Sequence, residues 1–90
     1  MLAIDFVHEQ KECYKVFLDG SRIGYLFKNN KRMWEIVPNE QNDPETYEFF
    51  SSAFNGETYE LLSVAKRFIR VAALQYKAWR NKTLGRSAWK

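Results

Sequence analysis

TYELLSVAKRFIRVAALQYKAWR, residues 58–80, is the stretch that decides the fold of this 90-residue chain. It contains neither glycine nor proline, and its apolar residues recur at helical spacing, which predicts one long amphipathic helix. At about 100° per residue, eight apolar side chains form one broad stripe that we expect to be buried against another layer. The stripe consists of Leu61, Leu62, Ala65, Phe68, Ile69, Ala72, Tyr76 and Trp79.

Two further groups of side chains lie outside that stripe. Four cations are predicted to gather on the opposite side of the helix: Lys66, Arg67, Arg70 and Lys77. Between the two sides runs a second, weaker apolar strip, formed by Val64, Val71, Leu74 and Ala78. A helix that packs on one layer needs only one apolar stripe, so we expect this strip to cover a loop or to contact another chain.

Four upstream segments are predicted to be β-strands: 2–7, 13–18, 22–28 and 32–37. Asp19-Gly20 is a strong hairpin signal, because a type I′ turn needs a positive φ at both central residues. Asn29-Asn30 predicts a second turn, since asparagine tolerates left-handed backbone better than most residues. The expected fold is therefore α+β, an antiparallel meander of three or four strands packed against one long C-terminal helix.

Two-residue turns at both hairpins predict a register for the sheet. Val16 then lies opposite Ile23, and Ile23 lies opposite Ile36. Six apolar residues share the face that we expect to be buried: Tyr14, Val16, Ile23, Tyr25, Trp34 and Ile36. Leu26 is expected on the other, solvent-facing side. A slip of one residue in any strand would turn its apolar set toward water.

Residues 43–55 fit two structures. Asp43-Pro44-Glu45 is typical of the N-cap and first turn of a short helix, which Asn55-Gly56 would end. The run TYEFF, residues 46–50, fits a last strand equally well, because so short an apolar run has no decisive period. We interpret residues 1–80 as a single α+β domain and the basic residues 81–90 as a flexible tail.

Composition excludes several classes of protein. Ninety residues support one domain with a modest core. No run approaches the ~20 apolar residues of a membrane span, and the first ten residues lack the basic region of a signal peptide. A single cysteine excludes an internal disulfide framework and fits a reducing compartment. We expect a cytoplasmic protein without a membrane contact.

The sequence gives little support for catalysis or metal binding. His8 and Cys13 are the only residues of their types, so no cluster of metal ligands can be assembled. Ser51 and Ser52 lack the context of a nucleophile, and the four scattered glycines form no phosphate-binding loop. We expect no enzyme activity, no metal and no cofactor. The aromatic residues match core positions, which makes base stacking on them the weaker interpretation.

The net charge of +3 conceals a strong asymmetry along the chain. Residues 1–57 contain six Lys/Arg and ten Asp/Glu, a net charge of −4, whereas residues 58–90 contain eight and one, a net charge of +7. Such a division predicts either an anionic partner or two halves that attract each other. The candidate phosphate contacts are Lys66, Arg67, Arg70 and Lys77 on the helix and Lys28, Lys31 and Arg32 at the second hairpin.

Two functions from different classes follow as hypotheses. The first is a small non-catalytic nucleic-acid-binding or regulatory module that uses the basic helix face. A meander followed by a long helix resembles the architecture of small sheet-plus-helix DNA-binding modules such as integrase arm-binding domains, although no family motif is shared. The second is a protein-binding adaptor or inhibitor that uses the acidic half or the strip of Val64, Val71 and Leu74. That strip also suggests a homodimer.

Overall fold

The computed structural model describes the backbone of residues 3–88 and the side chains of residues 3–82. Its elements are β1 (Ile4–Gln10), β2 (Cys13–Leu18), β3 (Ser21–Lys28), β4 (Trp34–Pro38), α1 (Pro44–Phe54), β5 (Thr58–Tyr59) and α2 (Leu62–Ala88). The five strands form one antiparallel sheet in the order β1-β2-β3-β4-β5. The predicted α+β fold is confirmed, with one short strand more than expected.

The long helix differs from its predicted bounds at both ends. Thr58 and Tyr59, placed in the helix by the sequence, instead form β5 beside β4, and Tyr59 lies opposite Trp34. Both residue types favour strands, and the pairing gives the outer edge of β4 backbone partners. The helix therefore begins at Leu62, and it continues past residue 80, so the predicted tail begins inside the helix. The side chains of residues 83–90 lie outside the described part.

Residues 43–55, for which helix and strand were both open, form helix α1. Asp43 is the N-cap, and its carboxylate accepts hydrogen bonds from the Thr46 backbone N–H at 3.1 Å and from the Thr46 hydroxyl at 2.7 Å. These bonds from Thr46 hold the pKa of the Asp43 carboxyl below its ordinary value, because they favour the charged form. Asn55 ends the helix with φ 44°, in the left-handed region.

Both helices pack on the same face of the sheet. The core that they close with it consists of Val16, Leu18, Ile23, Leu26, Trp34, Ile36, Phe50, Phe54, Ala65, Ile69, Ala72 and Ala73. The alanines of α2 leave room for a close approach between helix and sheet. Of the predicted stripe, Leu61 is exposed because it precedes the first turn of α2.

The predicted register of β2 and β3 is wrong beyond the turn. Asp19-Gly20 does form a two-residue hairpin turn, with φ 50° and 85°. Val16, however, lies opposite Gly24, which leaves Ile23 as an extra residue in a β-bulge. Only glycine fits there, because a Cβ at position 24 would collide with the Val37 carbonyl oxygen of β4. The bulge reverses the faces of all later residues in β3.

The predicted two-residue turn at Asn29-Asn30 is also wrong. Lys28 pairs with Trp34, so the connection is a loop of residues 29–33. The Asn29 side-chain oxygen accepts hydrogen bonds from the backbone N–H of Lys31 at 2.9 Å and of Met33 at 3.1 Å. Arg32, not an asparagine, takes the left-handed conformation, with φ 63°. Asparagine shapes this loop through its side chain, as in an Asx turn, rather than through its backbone.

The second face of the sheet has no described helix against it. Because of the bulge, Leu26 is fully buried in the core while Tyr25 lies on this open face, the reverse of the prediction. Other half-buried residues accompany it: Phe17, Phe27 and Val37. Trp34 and Ile36 are buried in the core, as predicted. The bulge and the longer loop change only the residues of β3 that lie opposite them, which are Lys28 and Leu26.

Candidate nucleic-acid interface

The four cations predicted to share one helix face occupy two positions around the axis of α2. Arg67 is exposed on the side of α2 away from the sheet, as expected. Lys66, Arg70 and Lys77 lie within about 40° of one another around the helix axis, at the border of the buried stripe. Their long aliphatic stems extend toward the sheet instead of away from it. Three of the four cations therefore share one side of α2 at the border of the core, and Arg67 lies farther out.

Lys66 and Arg70 lie over aromatic rings at the β1 end of the sheet. The Lys66 ammonium is 5.1 Å from the ring centroid of Phe6 and 5.1 Å from that of Tyr14. The Arg70 guanidinium carbon is 5.3 Å from the centroid of Phe6. These distances are those of cation–π attraction, which holds each cation in place without neutralising it. Among the described residues, neither cation has a carboxylate within 4.0 Å.

The aromatic rings continue from this point toward the second hairpin. His8 of β1 lies opposite Tyr14 of β2, with ring centroids 5.0 Å apart. Tyr14 is 6.1 Å from Trp34, and the Lys28 ammonium is 5.8 Å from the Trp34 ring. We call this surface the cation–aromatic seam. It consists of Phe6, His8, Tyr14, Lys28, Trp34, Lys66 and Arg70.

The seam joins residues that the sequence had assigned to two separate basic groups. Lys28 belongs to the end of β3, and its backbone N–H donates to the Glu12 carbonyl at 3.0 Å, which places the two loops side by side. Lys31 and Arg32 are exposed in the loop that follows β3. Lys11, exposed in the neighbouring loop, adds a cation to this end of the molecule that the sequence reading missed.

Lys77, a predicted phosphate contact, already forms an ion pair within the chain. Its ammonium lies 2.6 Å from a carboxylate oxygen of Asp19 at the first hairpin. The hydrogen bond from Lys77 holds the pKa of the Asp19 carboxyl below its ordinary value, because it favours the charged carboxylate. Arg80 approaches Glu45 more loosely, at 4.0 Å. Among residues 3–82, these two ion pairs join cations of the basic half to carboxylates of the acidic half.

The second apolar strip of α2 is exposed, as its position on the helix predicts. Val64, Val71 and Leu74 have exposed fractions of 38%, 46% and 56%. Arg67 lies among them, since it falls between Val64 and Val71 on the outer side of the helix. Within the described part of the chain no loop covers the strip, which excludes one of the two roles that the sequence left open for it.

A cleft of about 320 Å³ lies where the first hairpin, the start of α1 and the middle of α2 meet. Its lining includes Asp19, Asp43, Lys77 and Arg80. The Tyr76 hydroxyl lies 2.8 Å from that of Thr46, which itself donates to Asp43. Two acids face two cations, so the cleft presents no net charge to a ligand. Its volume is at the lower limit of small-molecule sites.

Other kinds of site find no support among the described residues. No three His, Cys, Asp or Glu side chains of that part lie close enough together to hold a metal ion. A bilayer-spanning segment is also missing there, because neither described helix combines the necessary length and apolar character. Comparison of the chain with protein-family models, with curated proteins and with solved structures gives no match.

Proposed function

We propose that this chain is a small non-catalytic module that binds nucleic acid through the cation–aromatic seam. The observation that carries the proposal is that positive charge on α2 is not cancelled by the acidic half. Residues 62–82 contain six cations and no acidic residue. Of these, only Lys77 and Arg80 lie within 4.0 Å of a carboxylate in the described part. The unneutralised charge is what a polyanion requires.

The cation–π contacts of the seam favour phosphate binding because they hold the head groups of Lys66 and Arg70 in place before a phosphate arrives. Cation–π contacts to Phe6 and Tyr14 restrict where the Lys66 and Arg70 head groups lie, so less side-chain entropy is lost when a phosphate binds. The rings accept no N–H hydrogen bond of normal strength, so the donors of both cations stay available to phosphate oxygens. Each phosphate contact then releases condensed counterions, which provides most of the binding free energy at low salt.

A double variant tests this role. Replacing Lys66 and Arg70 with alanine should flatten the log–log dependence of the binding constant on salt by about 1.8 units for B-DNA and about 1.4 for a single strand. Fluorescence anisotropy with labelled single-stranded and duplex DNA at several salt concentrations measures the slope. The matched control is the double variant Arg67→Ala/Lys82→Ala, which removes two exposed charges outside the seam.

The control decides between a localised site and a diffuse one. If the seam binds phosphates, the control variant keeps a slope close to that of the wild type. An equal flattening in both variants would mean that net charge alone governs binding. Absence of any binding at low salt would end the nucleic-acid proposal.

A second candidate function is protein binding through the exposed strip of α2, which its exposure favours. If the strip pairs two copies of the chain, Leu74→Glu should convert a dimer into a monomer, because pairing would bury a carboxylate without a partner. Sedimentation equilibrium measures this. Gln41→Glu, in an exposed loop, adds the same charge elsewhere and should leave a dimer intact. A wild-type chain that stays monomeric at high concentration rules out self-association.

A further inference from the structure

We infer that the cation–aromatic seam is built for single-stranded rather than duplex nucleic acid, with the His8 ring as a stacking platform for a base. This inference rests on the proposed function and adds the class of partner to it. The sequence-based interpretation gave base stacking little weight because the aromatic residues match core positions, and Trp34, Phe6 and Tyr14 do lie in or against the core. The inference therefore assigns the stacking to His8.

The alternation of rings and cations is the first argument. A duplex presents phosphates outward and keeps its bases stacked inside, so a duplex-binding surface needs cations but not rings. A single strand exposes the π-faces of its bases, and proteins that bind it combine cations along the backbone with aromatic platforms. In the seam, every cation lies 5.1–5.8 Å from a ring centroid, and neighbouring rings follow at 5.0 and 6.1 Å.

The position of His8 is the second argument. Its side chain is exposed, whereas the rings of Phe6 and Tyr14 are half-buried and Trp34 is buried. The imidazole contacts the Tyr14 ring at an interplanar angle of 38°, and because His8 is exposed, its ring can be reached by a base. His8 also stands where the pairing of β1 and β2 becomes irregular, between His8 and Gln10. Such bulges frequently reorient a side chain beside a functional site.

The place of β1 in the sheet is the third argument. It is the outer strand, so among the described residues no further strand lies beyond it. Phe6 and His8 lie on the same face of β1, and Lys66 and Arg70 of α2 lie over the Phe6 ring. An extended strand of nucleic acid can follow this border, with phosphates toward α2 and bases toward β1.

The test compares two forms of the same nucleic acid. The anisotropy of a labelled single strand of about 12 nucleotides, within the range of known single-strand site sizes, is measured beside that of its duplex. The wild-type chain should bind the single strand at least about tenfold more tightly. His8→Ala should weaken single-strand binding about tenfold, as expected for loss of one base stack. His8→Phe should retain single-strand binding, because it keeps a ring.

Each outcome separates the inference from the function on which it rests. Equal affinity for both forms overturns the inference, and so does a His8→Ala variant that binds the single strand normally. A His8→Phe variant as weak as His8→Ala also overturns it, since the ring would then not be what matters. In all three cases, a slope flattened by loss of Lys66 and Arg70 still supports phosphate binding. Failure to bind either form removes both proposals.

Discussion

Replacing Phe50 with alanine is expected to lower the free energy of unfolding by about 3–5 kcal/mol, the range for a large buried ring. Phe50 belongs to α1 and has no exposed surface. Its ring centroid lies 5.4 Å from that of Phe54 and 4.9 Å from that of Tyr76 on α2. Truncation leaves a cavity where both helices meet the sheet. Urea denaturation monitored by circular dichroism measures the loss.

Phe27 provides the matched control for this substitution. It is the same residue type, but it lies half-buried on the open face of the sheet between Cys13 and Glu35. Its replacement with alanine should cost about 1 kcal/mol, the size of a cross-strand contact. If Phe27→Ala destabilised the chain as much as Phe50→Ala, the Phe27 side chain would have to be fully buried in solution, and the open face would not be open.

Leu26→Ala is expected to cost about 2–5 kcal/mol, since Leu26 is fully buried at the centre of the sheet. Its neighbour Tyr25 is the control, because the two residues point to opposite faces. Tyr25→Ala should cost about 1 kcal/mol, as its ring contacts mainly Arg22 and cross-strand neighbours. The two values together report the register of β3. The register expected from the sequence buries Tyr25 and exposes Leu26. A larger loss of unfolding free energy for Tyr25→Ala than for Leu26→Ala would therefore support that register instead.

The reversal of Leu26 and Tyr25 shows where sequence reasoning stops for the fold. Turn chemistry located the first hairpin correctly, because Asp19-Gly20 specifies its own backbone conformation. The bulge at Ile23, unlike that turn, is not specified by the local sequence. Beside it, Gly24 meets the Val37 carbonyl on another strand, and a contact between distant segments leaves no local signal. A single inserted residue then exchanges the two faces.

Around the helices too, local sequence predicts the caps, whereas contacts between distant segments cannot be predicted from it. The cap residues Asp43 and Asn55 predicted the ends of α1, although the apolar run between them could not separate helix from strand. The stretch without glycine or proline placed Thr58 and Tyr59 in the long helix, yet they pair with β4. Pairing with β4 decides their conformation, and it agrees with the strand preference of both residue types.

The candidate site was predicted only in part. Charge counting identified Lys66, Arg70 and Lys28 as candidates, and it also included Lys77, which Asp19 neutralises. The contact of Lys66 with Phe6 and Tyr14 could not be predicted from the spacing of residues along the sequence. That contact depends on how α2 crosses the sheet, which is a property of the whole packed domain.

The sequential order of the strands determines how the chain can fold. From β2 to β4, each strand pairs with the one before it across a short loop, so closing these loops costs little entropy, whereas β5 reaches β4 only after α1. Phe6 and Lys66 are separated by 60 positions, and they meet only when α2 docks on the sheet. The seam is therefore assembled from opposite ends of the chain, and a polyanion that binds the assembled seam also selects the fully folded chain over partly unfolded forms.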